Sequence, residues 1–129
     1  MNGNIYTDIA EELRKLGGID RIGVVTAPGE TAIIYAGNKV LKKYFDGTKK
    51  QAVIFSVSAM DKIERQRELV EKLCGIGDVL SGSEPVIQGI SQPSVKINSL
   101  PVPTMKNEHY YIYTSSVEIT FYMKEEKII

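Results

Sequence analysis

The sequence is poor in the residues that carry most enzyme chemistry. Among 129 residues it holds one cysteine, Cys74, one histidine, His109, and no tryptophan. A single cysteine cannot form an intrachain disulfide, so nothing points to an oxidising compartment. A zinc site ordinarily draws three or four Cys, His or carboxylate ligands at short spacings, and no such cluster is present. Net charge is missing too: 16 basic residues stand against 16 acidic ones. Binding a phosphate backbone relies on a cationic excess, so neutrality argues against a mainly electrostatic partner and leaves room only for a local basic patch. No apolar run approaches the ~20 residues that span a bilayer. Met1-Asn2-Gly3-Asn4 lacks the basic region and apolar stretch of a signal peptide. The expectation is a soluble protein made inside the cell and folded as one domain over residues 1–129, long enough for a core without staples.

What is present is periodicity. Ile5, Ile9, Leu13 and Leu16 fall at helical spacing, with Asp8, Glu11, Glu12 and Arg14 on the other side, and Gly17-Gly18 supplies the stop. Arg21–Ala27 reads as a strand, and Ala27-Pro28-Gly29-Glu30 as a turn. A second strand spans Thr31–Ala36, Gly37-Asn38 reads as a tight turn, and Lys39–Phe45 as a third strand whose lysines suit an edge. Asp46-Gly47 then predicts a hairpin into Gln51–Ala59, because its turn needs residues tolerant of positive φ. A second helix is expected over Asp61–Cys74, capped by Asp61 with Glu64, buried through Ile63, Val70, Leu73 and Cys74, and ended by Gly75. Ile76–Glu84 reads as loop. Val86–Gln92 and Ser94–Asn98 are short β-like runs, and Leu100–Thr104 is extended; their prolines assign them to edges or loops. His109–Met123 alternates apolar and polar residues as a half-buried strand, or as two strands joined at a bulge near Ser115-Ser116. Lys124–Lys127 reads as a charged tail. The fold class that follows is α+β: a mixed, mainly antiparallel sheet of about four to five strands packed against two main helices.

Catalytic signals are thin. Asp46-Gly47-Thr48-Lys49 is no phosphate-gripping loop, since the Gly-Lys-Ser/Thr order is absent and a strand follows instead of a helix. Cys74 lies on an apolar stripe, where cysteine is packing. No catalytic, cofactor-binding or metal-binding residue is assigned. Tyr110, Tyr111, Tyr113 and Tyr122 crowd one strand and could stack bases, but tyrosine also suits strands and wet interfaces.

Two stretches carry a family resemblance. Val40-Leu41-Lys42-Lys43-Tyr44-Phe45-Asp46-Gly47-Thr48-Lys49 resembles the K-x-Y-x-D-G-x-x hairpin of small bacteriophage proteins described as minor capsid or tail-completion proteins, the tail terminator group. Phe55-Ser56-Val57-Ser58-Ala59 with the helix after it, and Tyr110-Tyr111-Ile112-Tyr113 leading to Phe121-Tyr122-Met123, are similar to the same family. The resemblance runs from Ile5 to Lys124 and is loosest over Ile76–Thr104. It implies an α+β domain in a ring of itself, typically six subunits, that caps the tail tube and docks to head-neck connector proteins. It implies no cofactor, no membrane and no specific nucleic acid. The location implied is the virion tail or neck, after synthesis in the bacterial host cytoplasm. In such a ring the loops at Ala27–Glu30 and Met105–His109 are free to reach a neighbour, and the strands are guarded by lysines against further pairing. The residues expected at the subunit and tube interface are Pro28, Glu30, Lys42, Lys49, Glu108, His109 and Tyr110.

Two other classes stay open on the residues. One is a small enzyme of unfamiliar type built on His109, Glu108 and Asp46. The other is a nucleic-acid-binding module that combines the last strand's tyrosines with Lys42, Lys43, Lys49 and Lys50.

Overall fold

The computed structural model describes residues 5–124; Met1–Asn4 and the Glu125–Lys127 part of the expected charged tail lie outside the described residues. The element order is α1 (Ile5–Gly17), β1 (Arg21–Ile22), β2 (Thr31–Lys43), β3 (Thr48–Lys62), a 3-10 turn (Ile63–Arg65), α2 (Gln66–Ser81), β4 (Ser91–Lys106) and β5 (Tyr110–Lys124). The five strands form one sheet in the order β1-β2-β3-β5-β4. β1 runs parallel to β2 and every other neighbour is antiparallel. The fold class is therefore α+β, as the periodicity predicts.

Helix α1 ends where the glycines stand. Gly18 takes φ +64°, its N–H donates to the Lys15 carbonyl, and the Ile19 N–H donates to the Arg14 carbonyl. That pair of bonds satisfies carbonyls the helix end would otherwise strand. Ile9, Ala10 and Leu13 are buried; Leu16 is exposed, and Ile19, just past the stop, takes the core position. The expected strand Arg21–Ala27 shrinks to two residues. Gly23 still donates to the Ile33 carbonyl, but at φ +126° it turns the chain away into a loop that closes on the Ala27–Glu30 turn.

The expected second and third strands are one strand, β2. Gly37-Asn38 makes no turn; the register slips by one residue between the Tyr35–Phe55 and Gly37–Ile54 pairs, and again between Val40 and Lys42. The continuous partner offered by β3 absorbs a local turn signal as a bulge. The Asp46-Gly47 turn is as predicted. Gly47 has φ +89°, Asp46 Oδ1 accepts the Thr48 N–H at 2.9 Å, and the Tyr44 N–H donates to the Thr48 carbonyl at 2.8 Å. β3 is longer than Gln51–Ala59 at both ends.

Helix α2 is displaced toward the C-terminus of its predicted span. Asp61 does not cap it: pairing of β3 with β5 continues to Lys62–Tyr110, which keeps Asp61 extended, and its carboxylate faces Arg65 at 3.7 Å. Nor does Gly75 end it. Leu69, Leu73, Ile76 and Leu80 make the buried stripe, while Val70 and Cys74 are half-buried beside it. Each helical glycine costs about 1 kcal/mol relative to alanine, and burying Ile76 and Leu80 returns roughly 1.5–3 kcal/mol apiece, so the helix continues through Gly75 and Gly77 into the segment expected to be loop.

β4 is a single edge strand that joins Ser94–Asn98 with Leu100–Thr104; the segment before Ser91, expected to begin a strand, is a turn in which the Ile90 N–H donates to the Ile87 carbonyl. The register of β4 against β5 slips four times, around Pro93, Asn98, the Leu100-Pro101 step and Thr104, which is how an edge accommodates prolines. β5 is one unbroken strand. Its pairing with β3 runs without a slip from Tyr110 to Lys124, and the irregularity opposite Ser116 sits on β4 instead.

Both helices pack on the same face of the sheet. Val53, Phe55, Val57 and Ala59 of β3 and Tyr113, Val117, Ile119 and Phe121 of β5 join Ile9, Leu13, Leu69, Leu73, Ile76 and Leu80 in one core. The opposite face carries no element of the described chain. It is a belt of hydroxyls that satisfy one another: Ser58 with Thr114 at 3.0 Å, Thr104 with Thr114 at 3.0 Å, and Ser99 with Ser116 at 2.7 Å. Lys96 and Glu118 pair across the same face at 3.2 Å.

Candidate interaction surfaces

The seven residues expected at an interface divide between the two ends of the sheet. β3 connects those ends from Thr48 to Lys62, a span of roughly 45 Å at strand rise. Pro28, Glu30, Glu108, His109 and Tyr110 gather at one end, where the loop after β1, the 3-10 turn and the β4–β5 turn meet. Lys42 and Lys49 stand at the other, on the β2–β3 hairpin.

The first end is built from cross-links between loops. The Gly29 N–H donates to the Met60 carbonyl at 2.7 Å, and the Met60 N–H returns a bond to the Glu30 carbonyl at 3.2 Å. Lys72 of α2 donates to the Gly29 carbonyl at 3.1 Å. Glu30 Oε1 accepts from the Thr26 N–H at 2.7 Å and the Thr26 hydroxyl at 3.1 Å, with Arg21 at 3.6 Å. These donors, the Thr26 backbone first, hold the Glu30 carboxyl below its ordinary pKa. Close by, Asp20 Oδ2 accepts from the Thr31 N–H at 2.8 Å and the Thr31 hydroxyl at 3.0 Å, and that hydroxyl in turn accepts from the Asp20 N–H at 3.0 Å. The Thr31 donors lower the Asp20 pKa. In the β4–β5 turn Asn107 Oδ1 accepts from the N–H groups of His109 and Tyr110, and the His109 carbonyl accepts from Ile63. Pro28 and Gly29 rim a concavity floored by Leu69, with Asp61, Lys62, Arg65, Glu68 and Lys72 around it. A second rim holds Lys62, Glu64, Glu108, His109 and Tyr110. The result is a fixed backbone carrying alternating charge, the chemistry of a polar contact rim.

The second end is different in kind. Lys42 lies directly opposite Lys50, and Lys43 opposite Lys49. Lys39 and Lys124 stand at the same end. Phe45 is fully exposed, and Val40, Leu41 and Tyr44 are partly so. The Tyr44 and Tyr122 rings approach to 6.2 Å, with the Lys42 ammonium 5.3 Å from the Tyr44 centroid and that of Lys50 5.6 Å from the Tyr122 centroid.

The residues of the enzyme reading do not converge, because Asp46 is on the hairpin and the exposed Glu108–His109 pair, 3.9 Å apart, is at the far end. Among the described residues no group of three or more His, Cys, Asp or Glu could hold a metal ion, and no helix is long and apolar enough to cross a membrane. The nucleic-acid reading is split. Tyr113 is buried and hydrogen-bonded by Gln66, and Tyr111 packs on Tyr113 at 5.7 Å, whereas Tyr122 stands with the lysines.

A third surface escaped the sequence reading. On the β4 edge Leu100, Val102 and Met105 are exposed, beside a narrow cleft against α2 lined by Leu73, Cys74, Gly77 and Ile97. Leu100-Pro101-Val102-Pro103 carried the signal, since prolines remove backbone donors and leave an edge to be contacted through side chains.

No protein-family model matches the chain, and no curated protein gives a significant match. Among solved structures, the chain is similar to a chain of the virion of the native gene transfer agent (GTA) particle, with a TM-score of 0.57 and 12% sequence identity over 85% of this chain and 84% of that one. That likeness is one of fold.

Proposed function

We propose that the protein is a structural component of a phage or phage-like virion, and that it caps the tail tube and takes part in head-tail joining as a ring of six copies. The observation that supports this best is the fold it shares with a chain of a gene transfer agent virion, which extends over nearly the whole of both chains. The role is one of assembly, with no turnover and no cofactor. Its partners are further copies of itself, the tail-tube protein and the head-neck connector proteins.

The surfaces fit that role in a physical sense. A ring is closed by one surface meeting a different surface on its neighbour. The apolar β4 edge at Leu100, Val102 and Met105 is suited to the drier part of such a contact, and the loop end around Pro28, Glu30 and His109 to a polar rim. A tube of stacked rings keeps growing unless its last ring offers no further tube-like surface; the prolines of β4 and the lysines of β2 both discourage strand pairing with another subunit.

Deletion of the gene from a particle-producing strain tests the role. Electron micrographs of the lysate are expected to show filled heads and unjoined tails, many of abnormal length. Normal joined particles, or a lysate without heads, would each exclude a terminator. Native mass spectrometry of the purified protein with and without tube protein tests the ring separately.

A further inference from the structure

We propose that the open face of the sheet is where a second copy of the chain seats its helix layer, so that copies associate head to tail. This rests on the ring reading above and names the two surfaces that meet in it.

Strand register sets the side chains of the open face in rows across the sheet. At the loop end Met60, Ile112 and Met105 share one row, and Ser58, Thr114 and Val102 the next. The row of Ile34, Ser56, Ser116 and Ser99 follows. These three rows carry no charged residue. Ile34, Val102 and Met105 are exposed, and hydroxyls between them already have partners: Ser58 with Thr114, and Ser116 with Asn98 and Ser99. A polar group that keeps its hydrogen bond loses little when water leaves, so this part of the face can be covered by another surface at small cost. It is continuous with exposed Leu100 on the β4 edge. Four strands of about 45 Å, set about 4.8 Å apart, present roughly 800 Å² in projection, which is what each partner of a stable interface buries.

Charge selects what covers the face. Its other rows carry Lys39, Lys42, Lys50, Lys62 and Lys96, with Glu118 as their one acid. Lys96 is paired with Glu118. Lys42 and Lys50 lie over the Tyr44 and Tyr122 rings, a contact that orients an ammonium group and leaves its charge in place. The face is therefore positive on both flanks of its uncharged rows, and a second sheet face would set like charges against each other. The helix layer would not. Helices α1 and α2 hold six acids against four bases, whereas β2 to β5 hold nine lysines against two acids. The helix layer has apolar groups to offer as well. Val79 of α2 is exposed, as is Val86 just after it. Val86 and Ile87 line a concavity with Asp8, Glu11, Glu12 and Lys15 of α1. Apolar side chains among carboxylates match apolar rows flanked by lysines. The two surfaces lie on opposite sides of one chain, so the contact is heterologous and passes from copy to copy.

The test is sedimentation velocity of the full chain and of two variants. Ser56→Arg puts a long cation into the uncharged rows; Ile34→Arg does the same from an exposed position and replaces it if Ser56→Arg lowers Tm. Asp8→Lys with Val86→Lys reverses the helix surface. The parent should assemble, and its association should weaken as salt rises from about 0.05 to 0.5 M. Each variant alone should associate at least tenfold more weakly, with an unchanged Tm. Mixed in equal amounts, the two variants should form heterodimers and nothing larger, because one keeps its helix layer and the other its sheet face. Variants that assemble as the parent does overturn the inference and leave the ring to other surfaces. A helix variant that still dimerises overturns it in favour of sheet-on-sheet pairing. A mixture that stays monomeric overturns it, as does a parent that does not self-associate. The deletion micrographs report separately on the terminator role: heterodimers in the mixture together with normal joined particles would uphold the inference and exclude the terminator.

Discussion

The two ends of the sheet are made from the same strands and obey different rules. At the loop end, opposite charges meet and backbone groups are cross-linked: Asp20 with Thr31, Glu30 with Thr26 and Arg21, Lys72 with the Gly29 carbonyl. At the hairpin end, lysine faces lysine and a phenylalanine has no cover. The first end is explained by the fold it stabilises. The second places like charges opposite each other and sets two of the ammonium groups, Lys42 and Lys50, over the Tyr44 and Tyr122 rings. The contrast is between an end held by opposite charges and backbone cross-links and an end where like charges are offset by ring contacts.

The largest effect is expected between the two, where they share a core. Ile119 is fully buried on β5, paired with Val53, and Ile119→Asp places an unpaired charge among the side chains both ends hang on. The variant should fail to fold at 25 °C, with both ends lost together in far-UV circular dichroism and hydrogen exchange. A hairpin end that stayed protected would show that the two ends are independently stable.

Next comes the loop end. Asp20→Asn removes the charge that Thr31 holds and is expected to cost about 1 kcal/mol at pH 7, less than the roughly 1.5–3 kcal/mol of a hydrogen bond to a charged group because solvent screens the exposed Asp20. Because the Asp20 pKa is lowered in the folded state, its contribution is complete above the unfolded value near 3.9 and lost as pH falls through the folded value. The gap in Tm between variant and parent should therefore be constant near neutrality and close below about pH 4. A gap unchanged at pH 3 would mean the carboxylate is not what Thr31 recognises.

Glu118→Lys tests the middle of the uncovered face. Strand alternation alone would make it harmless. The structure pairs Glu118 with Lys96 and sets it half-buried, so two ammonium groups would oppose each other across β4 and β5, with an expected loss of up to about 1 kcal/mol. Lys96→Glu in the same chain should recover most of it.

The smallest effect, and the sharpest for the comparison, has the opposite sign. Lys42→Glu opposite Lys50 should raise stability by a few tenths of a kcal/mol at low salt, and the gain should shrink as salt rises. At the loop end, Arg21→Glu near Glu30 should lower stability under the same conditions. If both substitutions move Tm the same way, the two ends do not differ in the manner described.

Much of this architecture was legible in the sequence, and the legible parts share a cause. The stop at Gly18, the turns at Ala27–Glu30 and Asp46-Gly47, and the alternation of β5 depend on residues within a few positions of one another, so composition and period determine them. The errors came where a distant partner overrode a local signal. Gly37-Asn38 reads as a turn until β3 supplies a continuous partner and makes it a bulge. Gly75 reads as a helix end until the core between the helices and the sheet rewards Ile76 and Leu80 for about two more turns. Asp61 reads as a cap until Tyr111 pairs with it across β5.

The candidate surfaces divide in the same way. Their residue types, lysines around Asp-Gly and a polar turn at Glu108-His109, were visible in the sequence. Which of them stand together was decided by the tertiary structure alone. Lys43 and Lys49 are six positions apart and face each other because a hairpin folds them so. Tyr122 is seventy-two positions beyond Lys50 and reaches it only through the β3–β5 register. Local order follows from steric and hydrophobic preferences written residue by residue, whereas juxtaposition requires the pairing of whole strands, a free energy that no short stretch of sequence contains.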